Sequence, residues 1–266
     1  MTEVTGSRPL VRRVEHVMGI PVSLAVRGRS ADDPALADAW QQAVATLHDV
    51  DRVFSTYRPA SYVSRLGRGE IGVEECPPEV AEVLALAERT RVESGGAFDV
   101  RRRDAEGRPV LDTDGVVKGW AVEQAARALE TLAGDFCLSA GGDLVCRVAD
   151  PARPPWRIGV EDPADPRRLV ARIPVRNGGV ATSGFTHRGT HIVDARTGLV
   201  PVGVASVTVV TASLTDADLD ATAAFALGPE ATGWLSSRPG RTGLVVGTDG
   251  SRTVVGQADG QTGPIS

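Results

Sequence analysis

Apolar side chains recur every three or four positions in four stretches of the chain, with shorter strand-like runs between them. The first helical stretch follows Asp32 and Asp33 as candidate caps, takes Pro34 in its first turn, and carries Leu36, Trp40, Val44, Leu47, Val50 and Phe54 on one face. A second opens at Pro77-Pro78 and runs through Val80, Val83, Leu84 and Ala87 to Gly95-Gly96, a helix stop. The third begins near Val116, after the acidic turn Asp112-Thr113-Asp114-Gly115, and brings Ala121, Val122, Ala125, Ala126, Leu129 and Leu132 onto one stripe. The fourth has Thr215 or Asp216 near its cap and Gly228 at its end, and a short helix near Trp234 follows it.

The strand pattern is denser. Val14 to Val26 is apolar on both sides of Met18-Gly19-Ile20-Pro21, which predicts two strands or one kinked strand. Phe136 to Ser139 and Leu144 to Cys146 flank the Gly141-Gly142 turn. Trp156 to Val160 and Leu169 to Pro174 are short strands among proline-rich surface loops, and Gly178 to Gly184 is a strand opening into a small-residue loop. Next come His191 to Asp194 with the turn Arg196-Thr197-Gly198, and the strand Ala205 to Val210. Thr242 to Gly247 and Arg252 to Gly256 are joined by Asp249-Gly250, a strong hairpin signal.

Composition narrows the classes. A hydrophobic share of 42% with a charged share of 24% is that of a globular chain able to bury one large core or two small ones. A formal charge of −5 argues against nucleic acid as the main partner. The longest cationic run, Arg101 to Arg103, is followed by Asp104 and Glu106 and reads as a solvated loop. No stretch reaches the roughly 18 apolar residues of a membrane span, and the first residues lack the apolar core of a secretory signal, so a cytoplasmic location is expected. Cys76, Cys137 and Cys146 form no C-x-x-C pair and read as reduced core thiols.

Several positions carry candidate chemistry. Lys118 is the only lysine in the chain, at the start of the third helix. A compact ammonium there suits a phosphate better than a guanidinium does, and a solvated surface lysine explains it as well. Tyr57, in the turn before Pro59, is a stacking platform or a partly buried aromatic. Met18 reads as a filler of core gaps. The loop Gly95-Gly96-Ala97-Phe98-Asp99 either lets a flat ligand approach the backbone or simply caps a helix. Gly141-Gly142-Asp143 reads first as a hairpin turn, with backbone contact to phosphate as the less common use. His187 and His191 are poorly spaced for a metal pair, and a role for one of them as an acid or base stays open. Asp218 and Thr222 lie one helical turn apart, so their oxygens share a face, an arrangement suited to magnesium or calcium and equally to a capping region.

The order of these blocks is more specific than any one of them. MGIPV, FSTYRPASYVSRL, GGAFD, LDTDGVVKGWAVE, AGGD, VATSG, HIVDARTG and DADLDATAAFALG together resemble the ApbE family of FAD:protein FMN transferases, over residues 14 to 247. The resemblance implies that FAD is the donor and that its pyrophosphate is cleaved with Mg2+. FMN would then be attached as a phosphoester to a threonine or serine of an acceptor protein, with release of AMP. It puts Met18, Tyr57, Ala97, Phe98 and Asp99 around the flavin and adenosine, Asp112 and Lys118 against the dinucleotide, and Ile192 in the pocket wall. The metal would sit on the Gly115 carbonyl and the side chains of Asp218 and Thr222, and His191 would activate the acceptor hydroxyl. Lys118, His191 and Asp218 are therefore the expected catalytic residues.

The implied fold is α+β, a mainly antiparallel sheet with the helices packed against it in two intertwined lobes around FAD. Residues 14–257 form the expected single domain, between an N-terminal segment 1–13 and a tail 258–266. The sequence departs from the family pattern in three places: a short segment between Asp99 and Asp112, Asp114 where the family tends towards glycine, and the lack of an export signal or lipobox cysteine. Two other readings use the same pocket: an FAD pyrophosphatase giving FMN and AMP, and a protein that binds FAD without turnover.

Overall fold

The computed structural model describes residues 10–103, 107–185, 192–256 and 265. Along the chain, β1 (Leu10–Val17) and β2 (Ile20–Arg27) precede the helices α1 (Pro34–Phe54), α2 (Tyr62–Gly67) and α3 (Pro78–Glu93). The short strands β3 (Arg101–Arg103) and β4 (Pro109–Leu111) lead into α4 (Asp114–Glu130). Then follow β5 (Asp135–Ala140), β6 (Asp143–Arg147), β7 (Trp156–Asp162), β8 (Asp165–Val175) and β9 (Gly178–Gly184). The chain continues with β10 (Val204–Thr211), α5 (Leu214–Leu227), α6 (Ala231–Ser236), β11 (Thr242–Gly247) and β12 (Arg252–Val255).

One antiparallel sheet of eight strands, in the order β1-β2-β5-β6-β9-β10-β11-β12, forms the frame. Period-two alternation gives each central strand two apolar faces. Val22, Leu24, Val26, Leu138, Ala140, Val145, Val207 and Val209 pack under α1, α4 and α5. On the opposite face, Cys137, Cys146, Val180, Val210, Leu244 and Val246 pack under Trp156, Val160, Ala171, Ile173 and Val175 of the β7–β8 hairpin. Cys137 and Cys146 are free thiols and register partners. The mainly antiparallel α+β architecture expected from the sequence is what the chain adopts.

Helix α1 starts on the Asp33 carboxylate, which accepts the Ala35 N–H at 3.0 Å, with Pro34 following. Its buried face is Leu36, Ala39, Ala43, Leu47, Val50, Val53 and Phe54, while Trp40 and Val44 are half-buried at its margin. Helix α3 ends in a Schellman motif: Gly96 N–H donates to Arg91 O at 2.8 Å and Gly95 N–H to Val92 O at 3.2 Å. The two glycines take φ of 61° and 88°, so the helix stop read from sequence is their local role. Helix α5 is buried on nearly every side because it lies between β9 and β10 beneath it and α3, α4 and α6 around it. Gly179 permits this seat, since a Cβ there would collide with the Leu214 backbone.

Several local expectations shift. The third helix begins at Asp114, with Thr113 as cap, two residues before Val116. The cap of α5 is Ser213, whose hydroxyl accepts the Asp216 N–H at 3.3 Å, in place of Thr215 or Asp216. Thr215 instead donates its hydroxyl and its N–H to Glu123 of α4, which also accepts from the Ser213 hydroxyl at 2.8 Å. Six residues after Ser61 form α2, capped where the Ser61 hydroxyl accepts the Ser64 N–H at 3.1 Å, a helix too short for periodicity to announce. Asp194 forms only an isolated bridge with Leu199, so the strand expected over residues 191–194 reduces to a turn, and His191 lies outside the described residues. Arg101–Arg103, read as a solvated loop, pairs with Pro109–Leu111 as a strand.

Candidate active site

The sheet brings one end of its central strands together: the starts of β2 and β10 and the ends of β5 and β9. There the helix layer, the β7–β8 hairpin and the loops after α3 and before Asp194 enclose a cavity of about 590 Å3. That size lies within the usual range for small-molecule sites, about 300–1,000 Å3.

Ala97, Phe98, Asp99, Asp112, Gly115, Lys118, Ile192, Asp218 and Thr222 all line this cavity. Ala97 and Phe98 come from the loop that the Schellman motif turns back, and the Ala97 carbonyl accepts the Ala195 N–H at 3.0 Å, tying that loop to the 192–195 segment. Gly115 sits between the Phe98 ring and Thr222: a Cβ on it would lie 3.0 Å from Phe98 Cε2 and 3.3 Å from Thr222 Cγ2. The close approach requires glycine at this point of α4. Thr222 shares a 3.1 Å hydroxyl–hydroxyl hydrogen bond with Ser183 of β9.

Two of the expected contacts fall elsewhere. Tyr57 is 88% exposed and is not part of the cavity wall. Met18 occupies the β1–β2 turn with φ of 56°, half-buried against the main core; Ile20, two residues on, reaches the cavity in its stead. A non-glycine residue at such a φ costs on the order of 1 kcal/mol, which the flanking two-residue hairpin imposes.

Lys118 lies between two carboxylates. Its Nζ is 2.8 Å from Asp143 Oδ2 and 3.6 Å from Asp218 Oδ1. Asp218 Oδ2 accepts the Gly119 N–H at 2.8 Å, a bond possible because α4 and α5 cross at a glycine. Asp143 is fully buried behind Lys118, outside the cavity wall, and its Oδ1 accepts the Thr182 N–H at 3.2 Å. Burial, with the Asp218 carboxylate adding to it, pushes the Asp143 pKa up to about 7 against the opposing pull of the Lys118 ammonium. Asp143 was legible only as the residue after a glycine turn. Gly141 and Gly142, with φ of 56° and 95°, make that hairpin turn, and both also line the cavity.

The rim is acidic. Asp99, Asp112, Asp114, Glu161 and Asp218 line the cavity against the cations Arg102 and Lys118. Arg102, the middle residue of β3, donates to Asp112 at 2.6 Å and brings the β3–β4 pair to the cavity wall. Asp112 Oδ1 also accepts the Asp114 N–H at 3.2 Å at the start of α4.

Among the described residues no cluster of three His, Cys, Asp or Glu side chains is arranged to hold a metal ion. The oxygen set is of another kind: the Gly115 carbonyl, the Asp218 carboxylate and the Thr222 hydroxyl stand on neighbouring turns of α4 and α5 at one cavity. One carboxylate with two neutral oxygens fits a hard cation such as Mg2+, which keeps open positions for water and phosphate oxygens. Among the described residues the lining holds more carboxylates than cations, which gives a second reason for a bound cation.

The sequence profile described as the ApbE family matches residues 18–105 and 101–245. The fold is shared with the crystal structure of Pseudomonas stutzeri flavinyl transferase ApbE in its apo form, at 23% identity and a TM-score of 0.77 over 94% of this chain and 96% of that one. The ApbE protein of Thermotoga maritima aligns at 21% identity and 0.76, covering 93% and 97%. The flavin transferase ApbE of Vibrio cholerae aligns at 22% identity and 0.75, covering 92% and 97%. No match was found among curated protein sequences.

Proposed function

This chain belongs to the ApbE family, and from that membership we propose that it transfers FMN from FAD to a threonine or serine hydroxyl of an acceptor protein, releasing AMP. The observation that carries the reading is the meeting of Lys118, Gly115, Asp218 and Thr222 in an otherwise carboxylate-rich cavity of dinucleotide scale. That the Pseudomonas stutzeri and Vibrio cholerae proteins of the same fold are flavin transferases supports it.

In the proposed reaction the acceptor hydroxyl oxygen attacks the FMN-side phosphorus of the FAD pyrophosphate. A new phosphoester bond forms, the bond from that phosphorus to the bridging oxygen breaks, and AMP leaves with the electron pair. Phosphoryl-type transfer depends on neutralised phosphate charge and in-line positioning. Mg2+, held by the Gly115 carbonyl, Asp218 and Thr222, would supply charge neutralisation on the pyrophosphate. Lys118 adds an ammonium at the same cavity. Phe98, buried against Gly115, and Ile192 give the flavin an apolar wall, and the Gly141-Gly142 turn lets phosphate approach the backbone without a side chain between. The family resemblance assigns the hydroxyl proton to His191, the residue before Ile192.

The test is to incubate the protein with FAD, Mg2+ and a flavin-acceptor domain and to follow AMP by chromatography. Acceptor-dependent AMP release that Asp218→Ala abolishes is the expected result. AMP with free FMN, independent of acceptor, would replace the transferase by a pyrophosphatase, and intact FAD would remove the catalytic reading.

A further inference from the structure

Asp143 cannot touch a ligand, yet it lies closer than Asp218 to the chain's only lysine. Its side chain is 0% exposed, and three features fix it: the Gly141-Gly142 turn ahead of β6, the Thr182 N–H on Oδ1, and the Lys118 ammonium on Oδ2 at 2.8 Å. The same ammonium stands 3.6 Å from Asp218 Oδ1, beyond hydrogen-bond reach. Asp218 Oδ2 is engaged by the Gly119 N–H, so Oδ1 is the oxygen facing the lysine across that gap.

We propose that Asp143 is a positioning residue that draws Lys118 away from Asp218 and so leaves Asp218 to a divalent cation. The inference rests on the metal assignment made above. An ammonium and a metal ion compete for one carboxylate oxygen, and without Asp143 the Lys118 ammonium shifts toward Asp218. A second, deeper carboxylate changes the balance by holding the ammonium at hydrogen-bond distance from itself. Asp143 thus acts on the metal through Lys118, as partners behind metal ligands do when they orient the ligands in front of them. The arrangement also leaves Lys118 on the cavity wall, where it can meet a phosphate while Asp143 holds it from behind.

Mn2+ in place of Mg2+ gives a direct binding readout by electron paramagnetic resonance, without turnover. In Asp143→Asn, which keeps the size of the side chain, the Mn2+ dissociation constant rises roughly ten- to hundred-fold. In Asp143→Asn combined with Lys118→Met it returns to within about twofold of Lys118→Met alone, because the competing ammonium is gone; such non-additivity is the mark of an effect passed through the lysine. Lys118→Met by itself binds Mn2+ at least as tightly as the unaltered protein, and this arm stands even if Asp143→Asn fails to fold. Mn2+ binding that Asp218→Ala loses and Asp143→Asn keeps, or an equal loss with and without the lysine, overturns the role of Asp143 alone. No Mn2+ binding by the unaltered protein overturns the metal assignment with it.

Discussion

Gly119 is the residue on which the α4–α5 crossing turns, and replacing it by alanine gives a sharp test of the site's construction. A methyl group there would lie 2.6 Å from Asp218 Cβ, 3.0 Å from Asp218 Oδ2 and 3.0 Å from the Leu214 carbonyl oxygen. Carbon–carbon contacts normally rest at about 3.5–4.0 Å, so the helices must part by roughly 1 Å or Asp218 must rotate. Either movement breaks the 2.8 Å bond from the Gly119 N–H to Asp218. In an open helix the same substitution would gain about 1 kcal/mol. Here overpacking costs about 1–3 kcal/mol and the lost bond to a charged acceptor about 1.5–3 kcal/mol, leaving a net loss of about 3 kcal/mol. For a chain of this size that lowers the melting temperature by roughly 6–12 °C. Calorimetry or urea denaturation reads the stability, and Mn2+ titration reads the displaced carboxylate. A Gly119→Ala protein that melts at or above the parent temperature, with Mn2+ affinity unchanged, would refute the close crossing.

Lys118→Ala weakens FAD binding roughly ten- to hundred-fold in a flavin fluorescence titration, the loss expected for one charged contact to phosphate. Asp220 faces away from the site on α5 and meets Arg238 at 3.0 Å and Arg241 at 2.7 Å. Burial raises its pKa and the two guanidinium groups oppose the rise. Asp220→Asn costs about 2–3 kcal/mol in urea denaturation, below the figure for a fully buried pair because Arg238 keeps Glu93 and Arg241 keeps Asp216. The pKa of Asp143, up to about 7 in the folded chain against an ordinary 3.8, means that between those values the folded protein holds a proton the unfolded chain has lost. Its contribution to stability in metal-free buffer is therefore fully present below about pH 4 and disappears as pH rises through about 7. Urea midpoints at about pH 5 and about pH 8 fall more steeply for the parent than for Asp143→Asn.

What the sequence disclosed and what it hid follow from the range over which each signal acts. Asp218 and Thr222 were legible as neighbours because a helical turn joins them, and Gly95-Gly96 as a helix stop because the Schellman bonds are local. The strand order was not: pairing β6 with β9 brings Asp143 beside Thr182, across a separation no window of periodicity spans. For the same reason Gly119 meant nothing until Asp218, 99 residues later, was found against it. Arg102 was misread because a charged run looks like a solvated loop when the strand it pairs with is only three residues long. Tyr57 left a stacking platform and a partly buried aromatic open, since an aromatic before a proline turn sits near a surface; it does, but it is exposed and outside the cavity wall. The resemblance to the ApbE family named Ala97, Phe98, Asp99, Asp112, Gly115 and Ile192, which line the cavity, and left out wall residues such as Ile20, Thr182 and Ser183 that the sheet brings in.

The most direct test of the account is whether flavin becomes covalently attached to another protein. The protein, FAD and Mg2+ are incubated with a flavin-acceptor domain, and the mixture is run on a denaturing gel viewed by flavin fluorescence. The account predicts a fluorescent acceptor band that grows with time, carries the mass of one added FMN less water, and vanishes when Asp218→Ala replaces the parent protein or when the acceptor threonine is changed to alanine. An acceptor that stays dark and unmodified while FAD is converted to AMP and free FMN would contradict it.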